Sequence, residues 1–311
     1  MMQAQADSVD VVGTGFTVLD RIYANGDFAA EALGGSCGNV LVSLAMLHRQ
    51  VAPMLSLGCD DIGEQLIHEF RLAGALTSYI YKCEGRRSPV LRQELDTLSG
   101  QHSFSFTCRE TSEEFPRFEP IGFEEVQSAT SALGGCTIFY ADRLSPTILR
   151  AMEWAHAAGA IVFFEPSDIE SELFEEALAL TTILKYSADR LGPEIDGQVA
   201  SSATVAIVTF GADGLEIRHG YERIWSAAIP ASHITDTCGS GDMVSVGIID
   251  WLLARADRQQ GALGIHDLVQ GVVAGQRLAA VNCEFAGARG IFRHHDVAFI
   301  RSVLAQSYRD Y

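Results

Sequence analysis

The segment DTCGSGDMVSVGIIDWLL, residues 236–253, joins a glycine-rich turn to an apolar helical run. The first N–H groups of a helix have no partner inside the helix, and the helix dipole makes this end electropositive. Gly239 and Gly241, on either side of Ser240, leave room for a bulky anion to approach those N–H groups. Asp242 would then place a carboxylate beside the anion. This arrangement suits phosphoryl transfer, in which the carboxylate takes a hydroxyl proton and the amides stabilise the transferred group.

The same residues have a simpler interpretation. Glycine-rich turns often precede helices, and the helix dipole tolerates an acid in the first turn. From the local pattern alone, Asp242 also fits an ordinary first-turn acid of a buried helix.

The length of the motif favours the chemical interpretation. D-T-x-G-[SA]-G-D, followed by an apolar helix of small residues, matches DTCGSGDMVSVGII at every defined position. This pattern resembles the C-terminal signature of the PfkB, or ribokinase-like, sugar and nucleoside kinases. The resemblance implies that Asp242 is the catalytic base and that Gly239, Ser240 and Gly241 form an anion hole. It also implies ATP and Mg²⁺, with transfer of the γ-phosphoryl group to a hydroxyl of a small sugar, sugar acid or nucleoside.

A second patch, GGSCGN, begins at Gly34 and resembles the family's Gly-Gly…Asn element, which contacts substrate hydroxyls. The resemblance assigns substrate binding to Gly34, Gly35 and Asn39, although Cys37 stands where the family usually has Ala or Gly. It assigns the same role to Asp20, where the family's first strand ends. Local patterns alone also fit a plain turn, a helix cap at Asn39 and a solvated loop acid at Asp20.

Two later segments resemble nucleotide-binding parts of the family. VTFGADG is similar to the T-x-G-x-x-G loop, and AAVNCEFAGARG to the late nucleotide-side segment. The resemblance implies nucleotide binding by the matching residues, which are Thr209, Gly211, Gly214, Asn282 and Gly287. With Gly290, the late segment also resembles a loop that shapes a monovalent-cation site, such as one for K⁺, beside Asp236. VTFGADG fits an ordinary strand-exit turn as well.

One part of the family pattern is missing. The family often carries N-x-x-E before the nucleotide loop, where it helps to hold hydrated Mg²⁺ and phosphate. Here Ser187 stands at the Asn position and Arg190 at the Glu position. Asp189 is an adjacent acid that can substitute, and Arg190 can instead reach phosphate. Glu165, which ends a neighbouring strand, and Asp236 are the carboxylates that we predict near a metal.

The missing acid leaves a rival from another functional class, a catalytically weak sugar- or nucleoside-binding regulator on the same fold. The intact Asp242 favours an enzyme instead. GTGFTV at 13–18 suggests a dinucleotide site, but it lacks the third glycine and a suitably placed acid. The adjacent His294 and His295 lack the spacing and the acids of a metal hydrolase.

The composition narrows the class of protein. A net charge of −18, from 40 acidic and 22 basic residues, argues against a general nucleic-acid or anionic-membrane surface. Neither Lys82 nor Lys185 follows a glycine, so no G-x-x-x-x-G-K-[ST] loop is present. Seven scattered cysteines without C-x-x-C are typical of reduced thiols, and the sequence shows no signal peptide or membrane span. We therefore expect a cytoplasmic protein without nucleic-acid or membrane partners.

Buried strand patterns alternate with helical ones along most of the chain. Continuous Val, Ile and Phe runs predict a parallel sheet covered on both faces. Examples are strands at 9–15, 52–58 and 160–167, and a helix at 145–159 that begins with Ser145 as its N-cap. With the resemblance, these patterns predict a ribokinase-like three-layer α/β/α sandwich with a mostly parallel central sheet.

Residues 16–33 and 79–118 break the alternation, and we interpret them as a small β-sheet lid. In QHSFSFTC, His102, Phe104 and Phe106 share one face, which predicts a half-exposed antiparallel strand after a turn at DTLSGQ. Burying each Phe side chain contributes about 1.5–3 kcal/mol. That face should therefore close over the substrate or pair with a second subunit.

Lids of related kinases do both, so we expect a homodimer formed through the lid. The large kinase domain then comprises residues 1–15, 34–78 and 119–311. Substrate specificity should lie in the lid, where three arginines can receive a carboxylate or phosphate or can be solvated, namely Arg87, Arg92 and Arg117.

Overall fold

The computed structural model describes residues 9–97, 101–169, 172–191, 195–200, 204–257 and 264–305. The strands are β1 (Val11–Thr14), β2 (Val18–Ala24), β3 (Asp27–Gly34), β4 (Val51–Pro53), β5 (Leu55–Gly58), β6 (Ile80–Cys83), β7 (Val90–Asp96), β8 (Gln101–Ser105), β9 (Ile138–Ala141), β10 (Ile161–Phe164), β11 (Ile183–Ser187), β12 (Val205–Thr209), β13 (Gly214–His219) and β14 (Glu222–Ala227).

The helices are α1 (Ser36–Met46), α2 (Asp61–Leu72), α3 (Phe123–Ser128), α4 (Thr130–Leu133), α5 (Pro146–Ala157), α6 (Phe174–Leu180), α7 (Ala188–Leu191), α8 (Asp196–Ala200), α9 (Ser240–Asp257), α10 (Ile265–Asn282), α11 (Gly290–His294) and α12 (Val297–Ala305). The predicted cap of α5 is present, since the Ser145 hydroxyl accepts a hydrogen bond from the N–H of Ile148. Within the described residues, no helix is both long enough and apolar enough to cross a bilayer.

Eight of the described strands form one sheet in the order β14-β13-β12-β11-β10-β9-β1-β4. In this sheet all pairs from β4 to β12 are parallel, whereas β13 is antiparallel to both β12 and β14. The carboxyl ends of the parallel strands therefore meet at one edge of the sheet, the usual place for a ligand in this type of architecture.

Successive strand residues enter two different cores, because side chains alternate across a sheet. On β9, Ile138 and Tyr140 join a core with α1, α9 and α10, whereas Phe139 joins a core with α5 and α6. Each face of the sheet is thus covered by helices. This arrangement confirms the predicted three-layer sandwich with a mostly parallel sheet.

The prediction of a single strand at 52–58 is wrong. The chain forms two short strands there, and β4 joins the large sheet while β5 pairs with β6. Between them, the N–H of Met54 donates to the carbonyl of Gly13. An unbroken apolar run shows that a segment is buried, but it does not reveal where the chain leaves one sheet for another.

A separate small sheet has the order β3-β2-β7-β8. It draws strands from both segments that break the alternation, and β8 pairs with β7 in antiparallel fashion, as the alternation at 101–108 predicts. The neighbouring β6 pairs with β5 outside this sheet. Residues 98–100, the centre of the predicted DTLSGQ turn, lie outside the described residues.

Helices α9 and α10 approach each other closely at two glycines. A Cβ on Gly247 would lie 2.4 Å from the Cα of Gly275, and one on Gly275 would lie 2.4 Å from the carbonyl oxygen of Val244. Both obstacles are backbone atoms, which cannot turn aside as a side chain can. Glycine at these positions therefore fixes α9, and with it residues 240–242, against α10.

We predict that Gly247→Ala lowers the free energy of unfolding by about 1–3 kcal/mol, because the added methyl group must push two helix backbones apart. Urea denaturation measures the change. The control is Gly197→Ala in α8, where an added Cβ has nothing within 4 Å. Equal stability of the two variants would contradict the close helix contact.

Candidate active site

The glycine-rich turn before α9 contains two glycines, and packing requires glycine at only one of these two positions. Gly239 has a φ of 72°, and a Cβ there would lie 2.5 Å from the carbonyl oxygen of Ala288, so the fold itself requires glycine. A Cβ on Gly241 would meet only the Nζ atom of Lys185, at 3.8 Å. Packing therefore does not explain Gly241, whereas an anion at the start of the helix would.

Asp242 lies at this open helix start and is only partly exposed. The side-chain amide of Asn39 donates to its Oδ2 at 2.8 Å. Burial raises the pKa of Asp242 to about 7, and Glu165 adds to the rise, while Asn39 and Lys185 oppose it. A carboxyl group that titrates near neutrality is well matched to accept a proton from a hydroxyl and to release it later.

The predicted substrate residues lie next to Asp242. A Cβ on Gly34 would lie 1.8 Å from Oδ2 of Asp20, so this glycine makes room for the carboxylate. Asp20 is 6% exposed, and burial raises its pKa to about 7, with the charge of Asp242 among the causes. Within the described residues, Oδ1 of Asp20 and Oδ1 of Asn39 are buried without a hydrogen-bond partner. Both atoms are therefore available to substrate hydroxyls.

Asp142, which the sequence analysis missed, holds the start of α1. Its carboxylate accepts hydrogen bonds from the N–H of Phe16 at 2.8 Å, the N–H of Cys37 at 3.0 Å and the hydroxyl of Ser36. The helix has no capping side chain of its own at Gly35. Asp142 therefore serves as the cap from another part of the chain, and it fixes the helix that carries Asn39. The available signal was an acid directly after a buried strand.

Asp236 ties two loops together. Its Oδ1 accepts from the N–H of Cys238 at 2.9 Å, and its Oδ2 accepts from the N–H of Gly287 at 2.8 Å. Nδ1 of His102 in the small sheet lies 3.7 Å from Oδ1. Burial raises the pKa of Asp236, but the His102 ring and the two backbone hydrogen bonds outweigh burial and hold it below its usual value.

The side chain of Asn282 also forms hydrogen bonds within the protein. Its amide donates to the carbonyl of Ala288 at 3.2 Å, and its oxygen accepts from the N–H of Ile291 at 3.1 Å. These contacts shape the loop that contains Gly287, and nucleotide binding by Asn282 stays a prediction.

The carboxylate of Glu165 has three donors. Lys185 pairs with it, the Tyr140 hydroxyl donates at 3.1 Å, and the Ser245 hydroxyl donates at 2.6 Å. The two carboxylates predicted near a metal, Glu165 and Asp236, are thus both occupied by protein donors. Within the described residues, no group of three or more His, Cys, Asp and Glu side chains is placed to hold a metal ion. A metal near Glu165 and Asp236 stays a prediction.

The predicted nucleotide loop follows β12, the strand next to β11 in the sheet. Thr209 pairs in register with Ser187, which brings this loop beside the turn that lacks N-x-x-E. Gly214 has a φ of 133°, and a Cβ there would lie 2.4 Å from the Ser226 carbonyl. Gly211 has a φ of 57°, and a Cβ there would have nothing within 4 Å, so space remains on its side of the loop.

One face of the small sheet lies toward the glycine-rich turn at residues 236–242. Gln93 is opposite Phe104 in the register and interacts with Cys238, while His102 reaches Asp236. Asp20 belongs to the same small sheet and lies close to Cys238 and Asp242. Phe104, which is 51% exposed, lies on this face, an arrangement that favours closure over the substrate.

The three arginines of the predicted lid have other neighbours. Arg92 alternates with Gln93 along β7 and lies 3.5 Å from Glu94, so it points to the opposite face. Arg117 stacks over the ring of Phe106, and Arg87 lies near Asp60. These positions favour structural or solvated roles over substrate recognition.

We predict that Asp242→Asn raises the melting temperature near pH 8. A carboxyl whose pKa is raised by folding loses part of its stabilising free energy as the pH rises from the unfolded value toward 7. The neutral amide avoids that loss and still accepts the hydrogen bond from Asn39. Thermal unfolding at pH 8 and near pH 4 measures the effect, which should shrink at acid pH. A variant that is less stable than the parent at pH 8 would contradict the assigned burial.

The chain is similar in sequence and in fold to known proteins. Residues 29–291 match the model of the pfkB family carbohydrate kinases. The structure is similar to a fructokinase with bound ATP from Xylella fastidiosa, with a TM-score of 0.74 and 19% identity over 96% of this chain and 98% of that one. It is also similar to an adenosine kinase from Sinorhizobium meliloti, with a TM-score of 0.74 and 18% identity over 95% and 99% of the two chains.

A curated relative, the bifunctional protein HldE of Campylobacter fetus subsp. fetus (strain 82-40), is 22% identical over 261 residues. The match covers 78% of this chain and 54% of that protein, so the chain spans about half the length of this relative. Because the family model covers most of the chain, from within β3 to the start of α11, the protein belongs to the pfkB family of carbohydrate kinases.

Proposed function

We propose that the protein transfers the γ-phosphoryl group of ATP to a hydroxyl of a small sugar, sugar acid or nucleoside, with Asp242 as the base. The single observation that carries this proposal is the position of Asp242. Its carboxyl, with a pKa of about 7, sits at an open helix start and is oriented by Asn39. Family membership supports ATP as the co-substrate and a kinase activity in general.

The order of events follows from the chain's own residues. Asp20 and Asn39 hold substrate hydroxyls through their unpartnered oxygens, so that one hydroxyl lies against Asp242. Asp242 accepts the proton of that hydroxyl as its oxygen attacks phosphorus. The N–H groups of residues 239–241 stabilise the negative charge on the transferred group. Mg²⁺ is typical of this family and would arrive with ATP, whose phosphates would supply part of its ligands.

Names of similar solved proteins support the range of acceptors. They include the fructokinase, the adenosine kinase and a nucleoside kinase from Burkholderia thailandensis in complex with inosine. The face of the small sheet that carries Asp20, Gln93 and His102 offers acceptors and donors that suit hydroxyl-rich molecules of either kind.

We predict that Asp242→Asn lowers turnover roughly 10²–10⁴-fold on the best substrate of a sugar, sugar-acid and nucleoside panel. The physical reason is loss of the proton acceptor with little change in shape. Coupled ADP-release assays measure the rate, and binding of ATP serves as the control for an intact site. Near-normal turnover by the variant would exclude Asp242 as the base. Absence of turnover by the parent protein, with sugar or nucleoside binding retained, would favour the regulator instead.

We predict that Gly241→Val weakens ATP binding and lowers turnover while leaving the melting temperature within a few degrees of the parent. A Cβ at this position would lie 3.8 Å from the Nζ atom of Lys185, an ordinary contact distance, so the added bulk mainly obstructs the bound anion. Calorimetry with ATP and thermal unfolding together measure both effects. Full ATP affinity in a folded variant would show that the turn does not bind phosphate.

The remaining expectations are part of the same proposal. Thr209, Gly211 and Gly214 are proposed to contact the nucleotide. A K⁺ site beside Asp236 is proposed from the family resemblance. The protein is also proposed to be a cytoplasmic homodimer. All seven cysteines are free in the structure, as a reducing compartment would require.

A further inference from the structure

Arg289 is a largely buried arginine whose donors are only partly used by the protein. It lies at the N-cap position of α11 and is 7% exposed. Its Nη2 atom donates to the carbonyl of Leu33 at 2.6 Å and to the carboxylate of Glu69 at 3.4 Å. Within the described residues, Nε and Nη1 have no hydrogen-bond acceptor. Because an unused donor on a buried side chain costs free energy, these two atoms indicate an acceptor that the protein does not supply.

Arg289 and Asp20 contact the same peptide unit, which joins Leu33 to Gly34. The carbonyl of this unit accepts from Arg289, and a Cβ on Gly34 would lie 1.8 Å from Oδ2 of Asp20. Glu69 fixes the segment from the other direction, because its Oε1 accepts from the N–H of Leu33 at 2.7 Å. The guanidinium group is therefore held in place beside the carboxyl that we propose to bind substrate hydroxyls.

A second arginine, Arg293, lies close to this pair. It is exposed, and it forms no hydrogen bond or ion pair with the residues that the structure describes. Burial lowers the pKa of Arg289, and the charge of Arg293 lowers it further, although Glu69 opposes both effects. Burial raises the pKa of Asp20, and the charges of Arg289 and Arg293 both oppose that rise. Two guanidinium groups thus lie near Asp20, and among the described residues only Glu69 forms an ion pair with either of them.

This arrangement favours a bound anion. Each of two neighbouring cations disfavours the charge of the other, and an anion beside them relieves the repulsion. A guanidinium group binds carboxylate or phosphate oxygens through two parallel hydrogen bonds. Since the chain has a net charge of −18, an anionic substrate needs such a local positive region. The arginines first predicted for this task have other neighbours, namely Arg87, Arg92 and Arg117.

We propose, building on the proposed kinase function, that the phosphoryl acceptor is an acidic sugar, whose carboxylate or phosphate is bound by Arg289 and Arg293 while Asp20 binds its hydroxyls. Both kinds of acid present the same chemistry, a compact group of negatively charged oxygens. Neutral sugars and nucleosides lack this group and leave the two arginines without an anion. Arg289 and Arg293 therefore set the class of acceptor, whereas Asp242 performs the proton transfer.

Calorimetry without ATP tests this contact independently of catalysis. The probes are aldonates, uronates and monophosphates of the common pentoses and hexoses, each compared with its neutral parent sugar. We expect at least one acid to bind the parent protein about tenfold or more tightly than its neutral counterpart, since a charge-assisted hydrogen bond is added. The chemical group of the preferred acid distinguishes a sugar acid from a sugar phosphate as the source of the anion.

Arg293→Gln removes the exposed cation, which makes no structural contact that folding requires. We expect the affinity for the preferred acid to fall about tenfold or more, with unchanged affinity for the neutral sugar and a melting temperature close to that of the parent. The matched control is Arg150→Gln, because Arg150 is an exposed arginine that pairs with Glu153 on α5. This control should keep the full affinity for the acid.

Arg289→Lys separates binding from a purely structural role. Lysine keeps a positive charge near Glu69 and the Leu33 carbonyl, but it lacks the planar fork that would bind the acid with two bonds. We expect the preference for the acid over its neutral counterpart to fall about tenfold or more, while neutral sugars bind as they do to the parent. A structural role alone would change the affinity for both compounds equally.

The outcomes separate this inference from the function on which it rests. If no acid binds more tightly than its neutral counterpart, or if both variants keep the full preference for the acid, the proposal is overturned. Turnover of a neutral sugar or nucleoside would then leave the kinase proposal standing. Acid binding that depends on Arg293, without ADP release from ATP in the presence of any acid or neutral compound, would instead support the anion site and overturn the kinase proposal.

Discussion

Negative charge buried at the start of α9 is the constraint on which the site depends. Glu165 and Asp142 raise the pKa of Asp242, Asp242 raises the pKa of Asp20, and Glu165 raises the pKa of Asp142. Burial of several carboxyl groups is tolerated only where donors compensate them or where protons are retained. The protein uses both solutions, and the four side chains differ in the number of donors around them, although burial raises the pKa of Asp142 as well.

Glu165 and Asp142 are surrounded by donors and so have structural tasks. Lys185, Tyr140 and Ser245 surround Glu165, while two backbone N–H groups and a hydroxyl surround Asp142. Asp20 and Asp242 have few donors, and the pKa of each is raised to about 7. A lack of donors is unfavourable for stability, yet it leaves these two carboxyls free to bind hydroxyls and to exchange a proton.

The sequence patterns predicted features that lie within one element, but they missed the contacts that join elements far apart in the chain. The turn at 236–242, the sandwich and the antiparallel β8 follow from motifs or periodicity within a few residues. Asn39 and Asp242 were each identified, but their hydrogen bond joins residues 203 positions apart and has no local signature. Lys185 and Asp142 belong to no recognised motif, so only the sheet reveals that they face the site. The two strands within 52–58 were merged because burial, which both share, was the only signal available.

Asp142 joins the segment that leads into the small sheet to the start of α1. Phe16, which precedes β2 of the small sheet, and Cys37, at the start of α1, donate to the same carboxylate. A swing of the small sheet about that point would change the distance from Gln93 and His102 to the turn at 236–242 while α1 stays in place. Asn39 would then keep its hydrogen bond to Asp242 in both the open and the closed arrangement. The proton acceptor would be fully oriented before any substrate arrives, and closure would need only to expel water.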